Sequence, residues 1–264
     1  MAWIDPYHAD TTRDSHSSLE LFRKSPTLYA ATRLWGMRTP DSPSWEMLMG
    51  SALDCWLFER EVFGERYALS KTTCATTTKR ESPDGRTFLT AIETKLLADI
   101  EAGICSHPTA YDALIRCEGE PQKVLTWTDA ETGLPLKCKM DRWLPNGRLI
   151  VDLKLTGDIR EREWVRIAAK FGYARQDAFY REGADACGMD PQSFVFVVAS
   201  REWPHGCAVY TLGEHIVEAA RRQNRELLRD LAKRKAANDW SDRMSDDIHE
   251  ITDFPNWALG SVFQ

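Results

Sequence analysis

The sequence lacks the short motifs by which several large enzyme classes are recognised. It contains no glycine-rich phosphate loop of either common type, and its six histidines include no H-E-x-x-H run. Glycine-rich loops cradle phosphate groups, and the two histidines of H-E-x-x-H share one helix face to bind zinc. The sequence therefore shows none of the usual signatures of hydride-transfer enzymes or P-loop proteins.

Cysteine usage argues against disulfide-rich proteins and against proteins with cysteine-bound zinc or iron–sulfur clusters. The seven cysteines are scattered without any C-x-x-C pair, and their number is odd. The first residues also show no basic patch followed by an apolar run, as a secretory signal would. We therefore expect no disulfide framework, no structural zinc site and no iron–sulfur cluster.

Long apolar runs and a basic excess are missing as well. The longest apolar stretch, residues 194–199, is far too short to cross a bilayer, so we expect a cytoplasmic protein without a membrane partner. The formal net charge is −6, whereas proteins that coat nucleic acid nonspecifically carry a basic excess. Any DNA contact would therefore have to use local basic patches. The acidic net charge is still compatible with a nuclease, because carboxylates that hold a cation add negative charge.

The patterns that are present predict an α/β protein. The chain has 264 residues, of which 43% are hydrophobic, and this suffices for one sizeable core. We predict a single domain over residues 1–264, with a mainly helical part (1–118), a sheet core (119–212) and a C-terminal helix and tail (213–264). Apolar periodicity predicts strands at 124–128, 136–144, 149–155, 193–200 and 207–211, which form a mixed sheet flanked by helices.

Helical spacing and capping signals predict the remaining elements. Ser17 and Glu20 form a capping-box pattern for a first helix, and Pro26 begins a second. Further helices are predicted at 45–58, 88–102 and 161–187, the last with a break near Gly172, and the polar stretch 70–86 is predicted to be a loop. The predicted helix at 214–237 has an apolar face, formed by Ile216, Ala220, Leu227 and Leu231.

The tight-turn signal Asn146-Gly147 brings two carboxylates together. Counting outward from this turn places Asp141 opposite Asp152, with Cβ atoms about 5 Å apart, where like charges destabilise a sheet. A divalent cation would supply the missing counter-charge. Lys154 points to the same face about 7 Å from Asp152 and could position a water or offset phosphate charge. A D-x-K run alone is common on solvated strand faces, so both interpretations stay open at this point.

Longer stretches of the chain resemble a known family. The resemblance is to the phage RecE-type exonucleases (exonuclease VIII) of the PD-(D/E)XK nuclease superfamily, in the branch shared with the RecB nuclease domain. It covers most of the chain and rests on SSLELFRKSPTLY (17–29), GSALDCWLFE (50–59), TWTDAETGLPLKCKMDRW (126–143), VDLKLTGD (151–158) and YARQDAFYREG (173–183).

The resemblance implies a PD-(D/E)XK fold and roles for particular residues. Asp141 and Asp152 would be ligands of Mg²⁺ or Mn²⁺, with Leu153 in the same ligand set, and Lys154 would be the catalytic lysine. Gln176 and Tyr180 match the Q-x-x-x-Y motif of the branch and share one helix face.

The chain departs from the family pattern at two positions. Asp54 stands where the family usually has a metal-binding histidine, and aspartate is itself a ligand for hard metals. Where the family tends to carry a glutamate before the first strand motif, Gln122 is the candidate, with Glu120 nearby. The C-terminal cysteines of the iron–sulfur relatives are absent.

The resemblance also implies substrate and partners. We expect an exonuclease that degrades one strand of linear double-stranded DNA from the 5′ end, leaving single strand for a RecT-like annealing protein, in a homo-oligomer that could close into a ring. A RecB-like nuclease with another polarity or endonuclease action is a second interpretation. A third is a DNA-binding relative that has lost catalysis.

Three sets of basic residues are candidates for holding DNA. They are Arg162, Arg166 and Lys170; Lys71, Lys79 and Arg80; and Arg221, Arg225, Arg229 and Lys233. For the first set the interspersed Glu161 and Glu163 slightly favour a solvated face, and for the second a surface loop is an equally good explanation. For the third, a subunit contact or solubility are the alternatives.

Overall fold

The computed structural model describes residues 6–37, 44–69 and 84–242. Most of the loop predicted at 70–86, with Lys71, Lys79 and Arg80, lies outside these ranges, as does the chain after residue 242. Within these ranges, the helices do not include one with the length and hydrophobicity of a membrane span.

Helices dominate the N-terminal part, as predicted. They are α1 (Pro6–Ala9), α2 (His16–Lys24), α3 (Pro26–Arg33), α4 (Trp45–Phe58), α5 (Phe63–Arg66), α6 (Ala91–Ser106) and α7 (Pro108–Tyr111), with a 3-10 turn at Arg60–Val62 and a π-helical turn at Asp112–Arg116. Two short parallel strands, β1 (Tyr67–Leu69) and β2 (Thr87–Leu89), pair within this part. The helix predicted from residue 88 therefore begins at Ala91, because Phe88 belongs to β2.

The predicted capping box of the first helix is wrong in its residues. Ser15 caps α2, and its hydroxyl accepts a hydrogen bond from the main-chain N–H of Ser18 at 3.3 Å. The Ser18 hydroxyl accepts the main-chain N–H of Ser15 at 2.7 Å in return. Ser17 lies inside the helix, and Glu20 pairs with Arg175 instead.

A five-stranded mixed sheet follows, as predicted. Its strands are β3 (Glu120–Thr128), β4 (Pro135–Leu144), β5 (Leu149–Thr156), β6 (Ser193–Ser200) and β7 (Cys207–Tyr210), in this spatial order. β5 and β6 run parallel, and the other neighbours are antiparallel. The parallel pair needs a crossover, which is supplied by α8 (Glu161–Phe171) and α9 (Tyr173–Ala186).

Gly172 separates the two crossover helices, as the sequence predicts. It adopts a φ of +72°, which favours glycine, and a Cβ there would lie 2.4 Å from Nη2 of Arg175 and 2.9 Å from Oε1 of Glu20. Gly172 thus ends α8 and lets α9 pack closely against α2.

Hydrophobic side chains cover both faces of the sheet. Along β5 and β6 alternate residues belong to two clusters: Ile150 and Phe196 to one, Val151 and Val197 to the other. The first cluster includes residues of α2, α3, α8, α9 and the C-terminal helix α10 (Glu214–Ala237), and the second includes residues of α4 and α6. The sheet is therefore sandwiched between helices, which confirms the predicted α/β architecture.

The buried face of α10 differs from the prediction. It is formed by Val217, Ala220, Asn224, Leu228 and Leu231. Ile216 is 41% exposed, so its assignment to the apolar face is wrong. Asn224 completes the buried stripe because its side-chain amide donates to the main-chain carbonyl of Arg175 at 2.8 Å.

Candidate active site

The β4–β5 hairpin has the register that the sequence predicts. Arg142 pairs with Val151 and Leu144 with Leu149, the pairs expected from a turn centred on Asn146 and Gly147. The connection is longer than the predicted two-residue turn, because Pro145–Gly147 form a 3-10 turn and Arg148 is left-handed with a φ of 46°.

The ladder ends one pair before Asp141 and Asp152. Its last pair on this side is Arg142 with Val151, so Asp141 and Asp152 are not ladder partners as predicted. Instead, Oδ2 of Asp141 accepts the main-chain N–H of Leu153 at 2.7 Å. The Asp141 side chain thus takes the place of a main-chain acceptor at the point where the strands separate.

A cavity of about 280 Å³ opens at this point. Every site residue predicted from the sequence lines it, namely Asp54, Asp141, Asp152, Leu153, Lys154, Gln176 and Tyr180. Gln122 lines the cavity too, whereas Glu120 does not. Residues from α4, β3, β4, β5 and α9, which are far apart in the chain, therefore meet at one place.

Asp152 is the most enclosed charged group of the site, with 2% of its surface exposed. Its Oδ1 accepts the side-chain amide of Gln176 at 2.5 Å, and its Oδ2 forms an ion pair with Nζ of Lys154. The Lys154 ammonium also lies 4.8 Å from the ring centroid of Tyr173. Gln176 and Lys154 together fix the orientation of this carboxylate.

Burial shifts the pKa values of the site. It raises the pKa of Asp54 to about 7, with Lys154 opposing the shift and Asp152 adding to it. The pKa of Asp141 is raised well above its ordinary value by burial and by the charges of Asp54 and Asp152. Burial alone would lower the pKa of Lys154, but Asp152 and its other anionic neighbours raise it instead. The charged forms of Asp54 and Asp141 are therefore disfavoured in this poorly solvated place.

This donor set fits a hard divalent cation. The carboxylates of Asp54, Asp141 and Asp152 and the main-chain carbonyl of Leu153 are oxygen ligands, which Mg²⁺ and Mn²⁺ prefer. Among the described residues, however, no three His, Cys, Asp or Glu side chains stand in a ready-made metal arrangement. The oxygens of Asp152 are bound by Lys154 and Gln176, so binding a cation would require these side chains to readjust.

Other residues of the cavity were not predicted. They are Tyr7, His8, Ser17, Ser51, Cys55, Glu59, Arg66, Tyr67 and Lys139. The alternation along β4 could have found Lys139, and helical spacing could have found Ser51, three residues before Asp54. Tyr7 and His8 come from α1, and no pattern in the sequence links α1 to the hairpin.

Two of the basic sets can be judged from their contacts. Arg225 pairs with Asp129 at 2.5 Å and with Glu182 at 3.4 Å, and Arg229 pairs with Glu131. These arginines of α10 hold the β3–β4 turn and α9, so the structure favours a structural role for this set. On α8, Arg162, Arg166 and Lys170 are exposed, and Arg166 pairs with Glu163 at 3.0 Å.

Comparison with known proteins identifies a family. The chain matches the model of the "PDDEXK-like domain of unknown function (DUF3799)" over residues 15–250. No curated protein matches it.

Two solved structures are similar to the chain. One, named "Putative exonuclease" and from Eubacterium rectale, has a TM-score of 0.66 and 18% identity, and the match covers 98% of each chain. A "phage related exonuclease" from Haemophilus somnus 129PT has a TM-score of 0.39 and 12% identity, over 86% of this chain and 96% of the other. At 18% identity, the first likeness establishes a shared fold.

Proposed function

Because this chain belongs to the family of the PDDEXK-like domain, we propose that it is a metal-dependent nuclease that hydrolyses phosphodiester bonds of DNA. One observation carries the proposal: three carboxylates, of which Asp152 is buried and the other two are partly buried, line a single cavity with a lysine at the end of a hairpin ladder. Burying like charges together destabilises a protein, so their retention is best explained by a bound cation.

The protein's own residues have distinct tasks in this proposal. Asp54, Asp141 and Asp152 would hold the cation together with the Leu153 carbonyl. The Leu153 N–H holds Asp141, and Gln176 holds Asp152, which keeps both carboxylates aimed into the cavity. A bound Mg²⁺ or Mn²⁺ supplies Lewis acidity to the scissile phosphate and lowers the pKa of a bound water.

Lys154 provides positive charge at the same place. Its ion pair with Asp152 keeps the ammonium protonated and directed at the carboxylates, where a phosphate oxygen would approach. A lysine so placed offsets the charge of the phosphate and can position the attacking water. The amide nitrogen Nε2 of Gln122 is buried without a partner among the described residues and lines the cavity, so it is a further donor for phosphate.

The finer proposal is an exonuclease acting on linear double-stranded DNA from the 5′ end. It is supported by the resemblance to RecE-type exonucleases and by the name of the Eubacterium rectale protein that shares the fold. On this proposal the product strand would pass to a RecT-like annealing protein, and the enzyme would act as a homo-oligomer.

Both the nuclease activity and the exonuclease specificity can be tested in one assay. The purified protein is incubated with Mg²⁺ and either end-labelled linear duplex or closed circular DNA. We expect loss of the linear substrate only, and at least a 100-fold lower rate for Asp152→Asn and for Lys154→Met, about the contribution of a positioned catalytic group. Asp158→Asn is the matched control, because Asp158 lies just beyond β5 and pairs with Arg160 outside the cavity.

Three results would change the proposal. Cutting of the circles would replace the exonuclease by an endonuclease, and release of label from the 3′ end first would reverse the polarity. Binding without cleavage in either metal would leave a DNA-binding protein and refute the enzyme.

A further inference from the structure

Lys154 has an aromatic neighbour as well as an acidic one. Its ammonium forms an ion pair with Oδ2 of Asp152, and it also lies over the ring of Tyr173, 4.8 Å from the ring centroid. A cation within about 6 Å of an aromatic ring centroid is attracted by the negative charge of the ring face. The side chain of Lys154 is 18% exposed, so water screens this attraction little. The ring is therefore a second contact for the ammonium, and it carries no net charge.

Other aromatic rings hold the ring of Tyr173 in place. Tyr173 is the first residue of α9. Its ring stacks on the ring of Phe171, with centroids 6.0 Å apart, and on the ring of Phe196, with centroids 5.8 Å apart. The indole of Trp164 lies 5.4 Å away on the same scale. A side chain packed against three neighbours has little freedom, so the ring presents its face to Lys154 in a fixed direction.

Tyr173 lies behind the active-site cavity rather than on its wall. It is partly buried and is not among the residues that line the cavity, whereas the lysine that it contacts is. Gln176, three residues further along α9, donates to Oδ1 of Asp152 at 2.5 Å. Residues three apart on a helix share one face, so the first turn of α9 contacts both members of the Asp152–Lys154 pair. Tyr173 thus reaches the site through Lys154, as Gln176 reaches it through Asp152.

The two contacts of the ammonium respond differently to a divalent cation. Asp152 is one of the carboxylates that fit such a cation, and its Oδ2 is the atom that pairs with Lys154. When its oxygens take up a cation, Asp152 can no longer hold the ammonium as it does in the metal-free protein. Hard cations prefer oxygen ligands, so the face of the Tyr173 ring does not compete for them. The ring contact can therefore persist when the ion pair is lost.

We propose that Tyr173 is a positioning residue that holds the ammonium of Lys154 over its ring while Asp152 binds a cation. The inference rests on the proposed function, in which Lys154 supplies positive charge to the scissile phosphate. A merely structural Tyr173 would pack the start of α9 against Phe196 of β6, and for that task only the volume of the ring matters. For a positioning Tyr173, the negative charge of the ring face matters as well, and this difference can be measured.

NMR spectroscopy of the protein with isotope-labelled lysine tests the contact without any reaction. Protons over the face of an aromatic ring resonate upfield, and the ε-methylene signal of Lys154 is assigned by its absence from Lys154→Met. We expect this signal upfield of the other lysines, both in EDTA and in excess Mg²⁺. The upfield displacement should disappear in Tyr173→Leu and remain in Tyr173→Phe. Phe171→Leu is the matched control, because it removes a ring of the same stack whose own cation contact is with Lys170.

Cleavage kinetics test whether the contact serves the reaction. Fluorinated phenylalanines at position 173 keep the volume of the ring nearly constant while they withdraw negative charge from its face. We expect Tyr173→Phe to retain most of the kcat, each added fluorine to lower it further, and Tyr173→Leu to lower it about 10- to 30-fold, as for a desolvated cation–π contact. The Kd for DNA in EDTA should not change along the series, because Tyr173 does not line the cavity. Circular dichroism checks that each variant is folded.

Each result decides the matter in one direction. An upfield Lys154 signal that persists in Mg²⁺, together with a kcat that falls with fluorination, supports the inference. A kcat that stays constant along the fluorine series would overturn it and leave Tyr173 a packing residue, as would a Lys154 signal that is the same in Tyr173→Leu. If Tyr173→Leu does not fold, the fluorine series gives the answer alone. Absence of cleavage by the unchanged protein, together with the expected Lys154 signals, would instead refute the proposed function and leave the contact between Lys154 and Tyr173 standing.

Discussion

Replacing Asp54 by asparagine should stabilise the metal-free protein while weakening its response to metal. Burial, to which the charge of Asp152 adds, raises the pKa of Asp54 to about 7, against an ordinary value of 3.8. For a carboxyl group with a raised pKa, the cost to folding is fully present above the folded pKa and disappears below the unfolded one. At pH 8 this cost is about 4 kcal/mol.

Asparagine keeps the volume of the side chain but adds an N–H group that needs a partner, which costs about 1 to 3 kcal/mol in a buried place. We therefore expect Asp54→Asn to raise the free energy of unfolding by about 1 to 3 kcal/mol at pH 8 in EDTA. The gain should shrink as the pH falls toward 5, because protonation then removes the charge from the unchanged protein too.

Urea unfolding followed by tryptophan fluorescence measures both effects, in EDTA and in excess Mg²⁺. Mg²⁺ should stabilise the unchanged protein, because it binds the folded state only, and it should stabilise Asp54→Asn less. Asp158→Asn, a partly exposed substitution outside the cavity, should leave the response to Mg²⁺ unchanged. The reasoning is refuted if Asp54→Asn is less stable than the unchanged protein at pH 8 in EDTA, or if both respond equally to Mg²⁺.

Three further predictions concern other contacts. Burial lowers the pKa of His16 to about 4, so the stability present above pH 6.5 is lost as the pH falls toward 4. The difference in unfolding free energy between the unchanged protein and His16→Gln should therefore shift by about 2 kcal/mol from pH 7.5 to pH 5. A constant difference would contradict this. Gln176→Ala should lower the cleavage rate about 10- to 100-fold, because it frees Asp152, and should cost about 1 to 3 kcal/mol in unfolding, because a buried carboxylate oxygen loses its donor. Normal kinetics would argue against a positioning role. Arg225→Ala should cost about 1 to 3 kcal/mol in urea unfolding, because Asp129 loses its ion pair and keeps only its hydrogen bonds from Thr132, but should leave the Kd for DNA unchanged.

Local sequence patterns were enough to predict the bounds of elements whose stabilising pattern lies within their own stretch of sequence. The strand at Ser193–Ser200 and the helix at Glu214–Ala237 have the predicted bounds, because their residues need no distant partner to set their period. The hairpin turn likewise fixed the β4–β5 register locally. Asp141 and Asp152 could therefore be placed near each other before the structure was known.

Predictions were wrong where a polar residue had a partner elsewhere in the chain. Asn224 interrupts the apolar period of α10, and only its hydrogen bond to Arg175 explains why it is buried. At the start of α2, neighbouring serines offer the same hydroxyl, and the sequence does not distinguish Ser15 from Ser17 as the cap. Tyr7 reaches the active-site cavity because Lys137 binds its carbonyl, a contact between residues 130 positions apart.

The hydrogen bonds found where the hairpin ladder ends also orient the carboxylates of the candidate active site. A sheet edge that stops pairing leaves main-chain donors exposed, and a buried donor must find another acceptor. Here the Leu153 N–H finds the carboxylate of Asp141, so the carboxylate is held in place by the fold itself. Asp152 is held by Gln176 of α9, which reaches β5 only because Gly172 allows α8 and α9 to turn between the parallel strands. Each carboxylate is thus oriented by a group that the topology requires in any case, which is why charged residues can be kept at the centre of a core that they would otherwise destabilise.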